Sequence, residues 1–337
     1  MGVLDSYAID NFVIDGAGYK IGDELLPDKY TKSLLNAWYI GDDFDFIGMD
    51  SSNIYLFEIA PGSGSGEYLY KISLSDFITQ HTNVFYGTRF MLSTNYLHFL
   101  GTGSYGFYEE YNKSDLSLYY SDRPGNYGQR GEDMELGSGN VSVVVGWHYY
   151  DEYAETYDFY IDYKYLGTWK YCPLERFSSN YDFCVCASGS YAFGFVKQYG
   201  NTEFYKVDGS TNSIVLTKLL SYEICDVTVL SGYIFAFTAS SVLKFDLNGN
   251  LVSSIARACT LLYNDGSYLY CKESTNKIIR LDSNLNVNWE CTLNNTLIGA
   301  CRSGSNFAIL ERINTNSKIS LFNTGTNIPE EKITIIA

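Results

Sequence analysis

Histidines, nucleophilic-serine motifs and phosphate-binding loops are the usual starting points for chemistry, and this chain of 337 residues offers few histidines and neither kind of motif. Its three histidines, His81, His98 and His148, are far apart and form no HExxH pair, so they predict no zinc site. The sequence also contains no GxSxG elbow and no GxxxxGK[ST] phosphate loop. We therefore predict structural roles for the histidines and no catalytic residue.

Carboxylates are the second source of chemistry, because a glycosidase needs only two or three of them at a suitable separation. Two acidic clusters occur, Asp42-Asp43-Phe44-Asp45 and Asp151-Glu152, but a chain with 39 acidic residues produces such clusters by chance. We interpret them as exposed, solvated loops. The segments Asp246–Asn250 and Asp282–Asn286 carry oxygen ligands suited to calcium, yet neither follows a full twelve-residue calcium loop. No metal is predicted.

The eight cysteines all lie beyond residue 170, and most of them sit within apolar runs. This placement favours buried, reduced thiols over disulfides or a metal site. No cofactor is predicted from them.

Composition narrows the possible partners. The formal charge is −16, and a surface this acidic repels phosphate backbones, so no nucleic acid partner is expected. No apolar stretch is long enough for a transmembrane helix, which predicts no membrane insertion. The first residues, MGVLDSYAIDNFVIDG, lack the basic and apolar regions of a signal peptide, so no export signal is predicted.

The elements that would position any site come from an internal repeat. Gly189, Gly232, Gly266 and Gly304 occupy equivalent turns at spacings of 43, 34 and 38 residues. Earlier in the chain Asn53 and Asn95 are equivalent to each other and 42 residues apart. The 94 residues between Asn95 and Gly189 leave room for two units, one of them enlarged by an insertion. The spacing therefore predicts about seven units.

Each unit contains four short apolar or aromatic runs. In the clearest unit they are Thr260–Tyr263, Tyr268–Lys272, Lys277–Asp282 and Asn288–Leu293. With 32 tyrosines and 20 phenylalanines, the composition also favours strands. Four strands in a period of about 40 residues are typical of a β-propeller, in which neighbouring sheets bury both faces of each blade. A β-helix has shorter rungs, and two sandwiches would not repeat one cassette, so we predict an all-β, single propeller of seven four-stranded blades over residues 46–337.

Residues 1–45 do not fit the repeat and are predicted as an extension. The spacing of Tyr30, Leu34, Leu35 and Trp38 predicts a short helix over Leu26–Trp38. A strand at Phe12–Asp15 is expected to pair with the C-terminal blade and so close the ring. Residues 61–66 (PGSGSG) and 121–140 (SDRPGNYGQRGEDMELGSGN) are predicted as loops, the second long enough to carry contacts.

A candidate contact surface comes from the aromatic-rich segment between Trp147 and Tyr171. Tyrosine offers a flat apolar face with a hydroxyl, which suits both protein interfaces and sugar rings. Ordinary packing between blades is the alternative interpretation. The predicted contact residues are Trp147, Tyr149, Tyr150, Tyr153, Tyr160 and Trp169, with Tyr127 and Arg130 from the long insertion.

One segment carries a family resemblance. Residues 265–290, DGSYLYCKESTNKIIRLDSNLNVNWE, resemble a unit of the PQQ-like and WD40-like propeller superfamily. The resemblance implies the fold but no enzymatic activity, because the vicinal cysteines of quinoprotein enzymes and the Gly-His and Trp-Asp pairs of WD40 repeats are missing. The overall composition is similar to that of structural proteins of phages that infect low-GC Gram-positive bacteria.

Two functional hypotheses follow. The first is a non-enzymatic structural or interaction module, a phage virion component (a head or tail decoration, or a baseplate or fibre-associated protein) assembled in the host cytoplasm and contacting other virion proteins through propeller loops. The alternative is a carbohydrate-binding or glycoside-hydrolysing propeller that acts on cell-surface glycans. An enzyme of that kind should bring two or three carboxylates together, whereas an interaction module should expose an apolar or aromatic surface.

Overall fold

The computed structural model describes residues 12–15, 18–21, 24–26, 34–40, 44–58, 67–74, 79–84, 89–101, 107–122, 129–151, 154–179, 181–304, 306–313 and 316–323. Every regular element within these ranges is a β-strand. In the same ranges, no helix is long and apolar enough to cross a membrane.

The strands form one three-stranded sheet and seven four-stranded sheets. The three-stranded sheet contains β1 (Phe12–Asp15), β2 (Gly18–Ile21) and β3 (Glu24–Leu26). Strand β4 (Leu34–Ile40) belongs to the last blade. Blade 1 contains β5 (Phe44–Met49), β6 (Asn53–Glu58), β7 (Glu67–Ser73) and β8 (Thr79–Val84). Blade 2 contains β9 (Arg89–Leu92), β10 (Tyr96–Gly101), β11 (Phe107–Asn112) and β12 (Leu118–Asp122).

Blades 3 to 7 follow in chain order. Blade 3 contains β13 (Gln129–Leu136), β14 (Val141–Asp151), β15 (Thr156–Tyr165) and β16 (Thr168–Phe177). Blade 4 contains β17 (Asp182–Ser188), β18 (Tyr191–Gln198), β19 (Asn201–Asp208) and β20 (Ser213–Leu220). Blade 5 contains β21 (Asp226–Leu230), β22 (Tyr233–Phe237), β23 (Val242–Phe245) and β24 (Leu251–Ile255). Blade 6 contains β25 (Thr260–Asn264), β26 (Leu269–Ser274), β27 (Lys277–Leu281) and β28 (Val287–Thr292). Blade 7 contains β29 (Thr296–Ser303), β30 (Asn306–Ile313), β31 (Asn316–Asn323) and β4.

These seven four-stranded sheets are the blades of a β-propeller, which confirms the predicted fold class and blade number. The four glycines that revealed the repeat all lie in the turn between the first and second strands of a blade. Their φ angles are positive, for example 60° at Gly189 and 76° at Gly232. Only glycine adopts this backbone without strain, so the repeat is visible in the sequence because the turn geometry requires it.

The chain divides into two compact units. Unit 1 comprises Met1–Val84, Tyr268–Asp282 and Asn286–Ala337, and unit 2 comprises Phe85–Ser267 with Ser283–Leu285. In unit 2 the first strands of successive blades, β9, β13, β17, β21 and β25, contact one another in order. In unit 1, β29 contacts β5 in the same way. We call the first strand of each blade the inner strand and the fourth the outer strand.

The cores of unit 2 lie between blades, where each sheet buries one face against its neighbour. One cluster joins blades 3 and 4 through residues such as Phe159, Ile161, Phe183 and Tyr205. A second cluster joins blades 4 and 5 and includes Cys184, Cys186 and Phe193. Both faces of blade 4 are therefore buried, which is why its second strand, β18, begins with an unbroken run of apolar residues.

Three local expectations are corrected. The helix predicted over Leu26–Trp38 is wrong from Leu34 onward, because the backbone there is the strand β4, which pairs with β31. The closing strand is consequently β4, while Phe12–Asp15 pairs with β2 instead. The 121–140 insertion is shorter than expected, since residues 129–136 form β13. For β4 a long-range pairing overrides a weak local pattern, whereas β1 and β13 each pair with the next strand in the chain. The 61–66 segment lies outside the described residues.

Candidate interaction surface

The predicted contact residues are divided between core and surface. Trp147 and Tyr160 are 1% and 4% exposed, in the cluster between blades 2 and 3 that also contains Leu100 and Tyr108. The two rings are stacked with centroids 6.4 Å apart. Burial removes both residues from the exposed surface that the sequence analysis predicted, because the strand face that carries them packs against blade 2.

The other predicted contact residues are more dispersed. Tyr150 is exposed and packs against Tyr157, with ring centroids 4.8 Å apart, whereas Tyr149 is half-buried. Trp169 is also half-buried and stacks on Tyr120 at 6.0 Å. The backbone of Arg130 belongs to β13. Tyr127 and Tyr153 lie outside the described residues.

The exposed apolar side chains are concentrated elsewhere, on the outer strands of unit 2. Of the eleven large hydrophobic residues that are exposed in the described ranges, eight lie on β12, β16, β20 or β24. We call these eight the outer-strand surface: Leu118, Tyr119, Tyr171, Ile214, Val215, Leu219, Leu251 and Val252.

Sequence analysis missed this surface, although a signal for it was present. Strand β20 reads SIVLTKLL and β24 reads LVSSI. The two strands together contain a single charged residue, Lys218. An outer strand that is solvated on one face should alternate apolar and polar residues. The unbroken Ile214-Val215-Leu216 run departs from that alternation. Within the repeat it resembles the apolar runs of buried strands, so it does not by itself indicate an exposed surface.

Lysines fix the outer parts of neighbouring blades in unit 2. Lys206 donates to Asn248 Oδ1 at 2.9 Å, and Lys218 donates to the Gly249 carbonyl at 2.8 Å. One blade further on, Lys244 donates to the Ser283 carbonyl at 2.7 Å. Each of these cations reaches the turn after the third strand of the next blade. The blades are therefore joined by polar contacts at their outer side as well as by apolar packing.

Aromatic rings support two of these lysines. The Lys206 ammonium lies 4.1 Å from the centre of the Tyr191 ring, and the Lys244 ammonium lies 4.0 Å from that of Tyr233. Both tyrosines begin the second strand of their blade, one or two residues after the turn glycine. A cation over an aromatic face contributes about 0.5–1 kcal/mol at exposed sites. These tyrosines therefore have a structural role in the repeat.

The inner strands of unit 2 carry a second polar group, which we call the inner-strand cluster: Arg89, Asp133, Glu135, Asp226, Thr228 and Asn264. Asp133 lies 3.2 Å from Arg89 and accepts the amide of Val185 at 2.9 Å. Glu135 accepts the Thr228 hydroxyl at 2.6 Å. This last hydrogen bond joins blade 3 to blade 5, so the cluster connects inner strands that are not adjacent.

Burial raises the pKa of the three carboxyls in this cluster. It raises the pKa of Glu135 to about 8, and the hydrogen bond from Thr228 opposes this only in part. Burial likewise raises the pKa of Asp133 to about 7 against the opposing charge of Arg89. The pKa of Asp226 is also raised by burial. No sequence pattern predicts this convergence, because the residues of the inner-strand cluster are up to 175 positions apart.

A buried relay connects blades 2 and 3. His98 Nδ1 lies 2.6 Å from the Tyr108 hydroxyl, which donates to Glu110 at 2.8 Å. Because Tyr108 gives its proton to Glu110, it accepts one from Nδ1, which leaves His98 Nε2 to accept the Ser93 hydroxyl at 2.8 Å. Lys164 reaches Glu110 from blade 3 at 3.2 Å.

Ser93 and His98 thus have the spacing of a nucleophile and its base, but the surroundings are unfavourable for catalysis. Burial, with the charge of Lys164, lowers the pKa of His98 to about 3, which makes it a weak base. The Ser93 oxygen also accepts the Tyr96 amide and so closes a turn. The relay accounts for His98 as a satisfied core histidine.

The remaining candidate ligands are engaged locally. Asp246 accepts the amides of Asn248 and Asn250, and Asp282 accepts the amide of Asn286, so each carboxylate closes its own turn. Asp151 accepts the Ala154 amide and lies 3.8 Å from Arg176. All eight cysteines are free thiols, and only Cys225 among them is exposed. Within the described ranges, no group of three or more potential ligands could hold a metal ion.

Comparison with known proteins supports the fold. No family model matches the sequence, and no curated protein matches it. The solved Dos1 propeller is similar at a TM-score of 0.53 and 11% identity, over 88% of this chain and 82% of that one. The WD40 domain of Toxoplasma gondii coronin gives 0.55 and 9%, over 85% of each chain. The Neurospora crassa Pan2 WD40 domain gives 0.55 and 12%, over 86% of this chain and 91% of that one. At such identities the likeness is one of fold, and it confirms the predicted resemblance to WD40-like propellers at that level.

Proposed function

We propose that this propeller is a non-enzymatic interaction module that binds partner proteins through the outer-strand surface. The observation that carries the proposal is the concentration of exposed apolar residues on four consecutive outer strands of unit 2. Exposed apolar residues that are scattered singly need no explanation, but a series on equivalent strands is typical of a binding surface. The similar fold of WD40 domains is consistent with this role.

Contact with water costs free energy at the exposed apolar side chains of the outer-strand surface. Leu219 and Val252 are 60% and 52% exposed, so both side chains gain from transfer to an interface. Covering apolar surface contributes about 25 cal/mol per Å². A partner that covers several of the eight residues therefore has a clear energetic reason to bind there.

The test compares variants of β24 in the cells from which the protein comes. We expect the epitope-tagged wild-type chain to elute in a high-molecular-mass fraction, and the variant with Leu251→Lys and Val252→Lys to leave that fraction, because two charges are placed at the interface. Ser254→Lys, which adds a charge at an exposed polar position of the same strand, is the matched control. If the double variant and wild type elute identically, the outer-strand surface is not the binding surface.

The narrower proposal is that the partners are virion proteins of a phage, with the chain assembled in the host cytoplasm. Its support is compositional: the charge of −16 suits a protein present in many copies at high local concentration. Mass spectrometry of purified particles from the source tests it. Detection of the chain only as a free monomer of 38.0 kDa would contradict the virion setting. The broader proposal of an interaction module would still be tested by the variant with Leu251→Lys and Val252→Lys.

One observation favours a second function. Asp133, Glu135 and Asp226 converge in the inner-strand cluster with raised pKa values, as the catalytic acid of a glycosidase requires. Against this, the Glu135 and Asp133 carboxyls are already bonded to Thr228 and Val185. Hydrolysis of chromogenic glycosides by the wild-type protein, abolished by Glu135→Gln, would establish this alternative over the non-enzymatic module.

A further inference from the structure

Strand β20 is an edge without the usual protection against strand pairing. Outer strands expose one row of backbone amides and carbonyls, and proteins commonly guard such edges with charges or proline. The neighbouring outer strand β16 shows that guard, since it carries Lys170, Pro173, Glu175 and Arg176. Strand β20 pairs with β19 on one side, and no described strand pairs with its other side.

The one charge of β20 does not guard its edge. The strand has eight residues, SIVLTKLL, with Lys218 as its only charged side chain. The Lys218 ammonium is turned to the next blade, where it donates to the Gly249 carbonyl and to Asn250 Oδ1, both at 2.8 Å. Val215 and Leu219 remain 51% and 60% exposed. The edge is long, apolar and uncharged, which is the condition for adding a strand from another chain.

The two ends of β20 identify the kind of partner. At the start, Ser213 is paired with Asp208, whose pKa is lowered by hydrogen bonds from Ser210, so this carboxylate is charged. At the other end, Leu219 is paired with Glu203, which lies within the field of Glu175. The Leu219 end therefore carries two neighbouring carboxyl groups, whereas the Lys170 ammonium, which donates to the Ser210 carbonyl, offsets the charge of Asp208 at the Ser213 end.

A second copy of this chain gains no charge complementarity from these ends. In the antiparallel pairing that two-fold symmetry produces, the Ser213 end of one copy lies beside the Leu219 end of the other. Asp208 and Glu203 both lie on β19, so three strand spacings, about 14 Å, separate Asp208 of one copy from Glu203 of its mate, and salt screens their interaction. A segment that carries basic residues on the added strand itself comes closer to Glu175 and Glu203 and complements their charge.

We propose that β20 binds an extended segment of a different protein as a fifth strand of blade 4, and that this segment alternates apolar residues and carries lysine or arginine beside Glu175 and Glu203. The inference rests on the proposed interaction function and specifies one of its contacts. Backbone hydrogen bonds supply affinity in this mode, and the alternating side chains with the basic end supply specificity.

The test uses defined peptides and fluorescence anisotropy with the full chain. The first probe is a peptide of about ten residues in which valine and threonine alternate, with two lysines at one end. The second probe has two glutamates in place of the lysines. The third is the lysine peptide with alternate backbone amides N-methylated, which blocks strand pairing without changing the side chains. We expect the lysine peptide to bind, the glutamate peptide to bind at least about tenfold more weakly, and the methylated peptide not to bind.

Variants assign the binding to β20. Val215→Lys with Leu219→Lys should weaken the lysine peptide by about tenfold or more, since charge is placed on the edge. Glu175→Gln with Glu203→Gln should remove the preference for the lysine peptide while leaving some binding. Ser254→Lys, on β24, should change nothing. Circular dichroism of each variant establishes that the fold is retained.

Three outcomes would overturn the inference. The first is no binding of the lysine peptide at about 1 mM, and the second is equal binding of the methylated peptide. The third is concentration-dependent dimerisation that Leu219→Lys abolishes, which would make a second copy the occupant. If any of these occurs while Leu251→Lys with Val252→Lys still releases the chain from its assembly, strand addition fails and the interaction module stands.

Discussion

Replacing Glu135 by glutamine should make the protein less sensitive to alkaline pH. Burial holds the pKa of this carboxyl at about 8 in the folded chain, against its ordinary value of 4.5. A group whose pKa is raised on folding stabilises the fold at pH values below its unfolded pKa, and this contribution is lost as the pH rises through the folded pKa. The free energy of unfolding of the wild-type protein should therefore fall between about pH 5 and pH 8.

The size of the effect follows from the shift. The difference between the folded pKa of about 8 and the ordinary value of 4.5 corresponds to at most about 5 kcal/mol of unfolding free energy. Glu135 is only half-buried, so water relaxes part of this penalty, and we expect about 2 kcal/mol. Glutamine imitates the protonated acid and keeps an oxygen that accepts the Thr228 hydroxyl. Glu135→Gln should thus match wild type near pH 5 and exceed its stability by about 2 kcal/mol near pH 8.5.

Urea denaturation at three pH values, followed by tyrosine and tryptophan fluorescence, measures the difference. Glu155→Gln is the control, because Glu155 is exposed in a hairpin turn. Asp133, whose pKa is also raised, contributes a slope of the same sign in both proteins, and its charge raises the pKa of Glu135, so the difference between them reports Glu135 together with this interaction. A difference that does not change with pH would mean that Glu135 is ionised in the folded state and that the burial argument is wrong.

Three further predictions concern other parts of the chain. Gly146→Ala places a Cβ 2.8 Å from the Phe183 ring and should cost about 1–3 kcal/mol of unfolding free energy, measured in urea, whereas Ser142→Ala should change little. Lys318 and Glu311 form an ion pair at 2.9 Å with both side chains fully buried. Lys318→Met alone should cost about 3–5 kcal/mol, and adding Glu311→Leu should restore most of it; equal melting temperatures for the single and double variants would contradict this. Ser93 should stay unmodified by a fluorophosphonate probe, as read by intact mass, because a base with a pKa of about 3 does not activate it; stoichiometric labelling would oppose the non-enzymatic proposal.

The blades could be predicted from the sequence because their signal is local. Turn glycines such as Gly266 are required by positive φ, and the four runs of the clearest unit match β25, β26, β27 and β28 to within one or two residues. Blade number then follows by counting. Strand β4 could not be placed in this way, since its pairing with β31 is a contact between residues far apart in the chain.

The inner-strand cluster could not be predicted for the same reason, because its contacts join residues far apart in the chain. Glu135 and Thr228 are separated by most of two blades, and neither belongs to a motif. The burial of the predicted contact residues Trp147 and Tyr160 was hidden for a different reason: aromatic composition does not tell which face of a strand is covered. Trp147 and Tyr150 lie on the same strand, yet one is core and the other exposed. Deciding between them needs the position of blade 2.

Strand β4 has a consequence for biosynthesis. Ile40 pairs with Ser317, so the fourth strand of blade 7 leaves the ribosome 277 residues before its partner does. Translation proceeds at about 5–20 residues per second, so β4 waits roughly 15–60 seconds without its partner. During this time it presents an unpaired strand to the cell, and the last sheet can be finished only after synthesis of β31. If translation ends before β31 is made, the released chain has no partner for β4. Truncated products are therefore prone to aggregate.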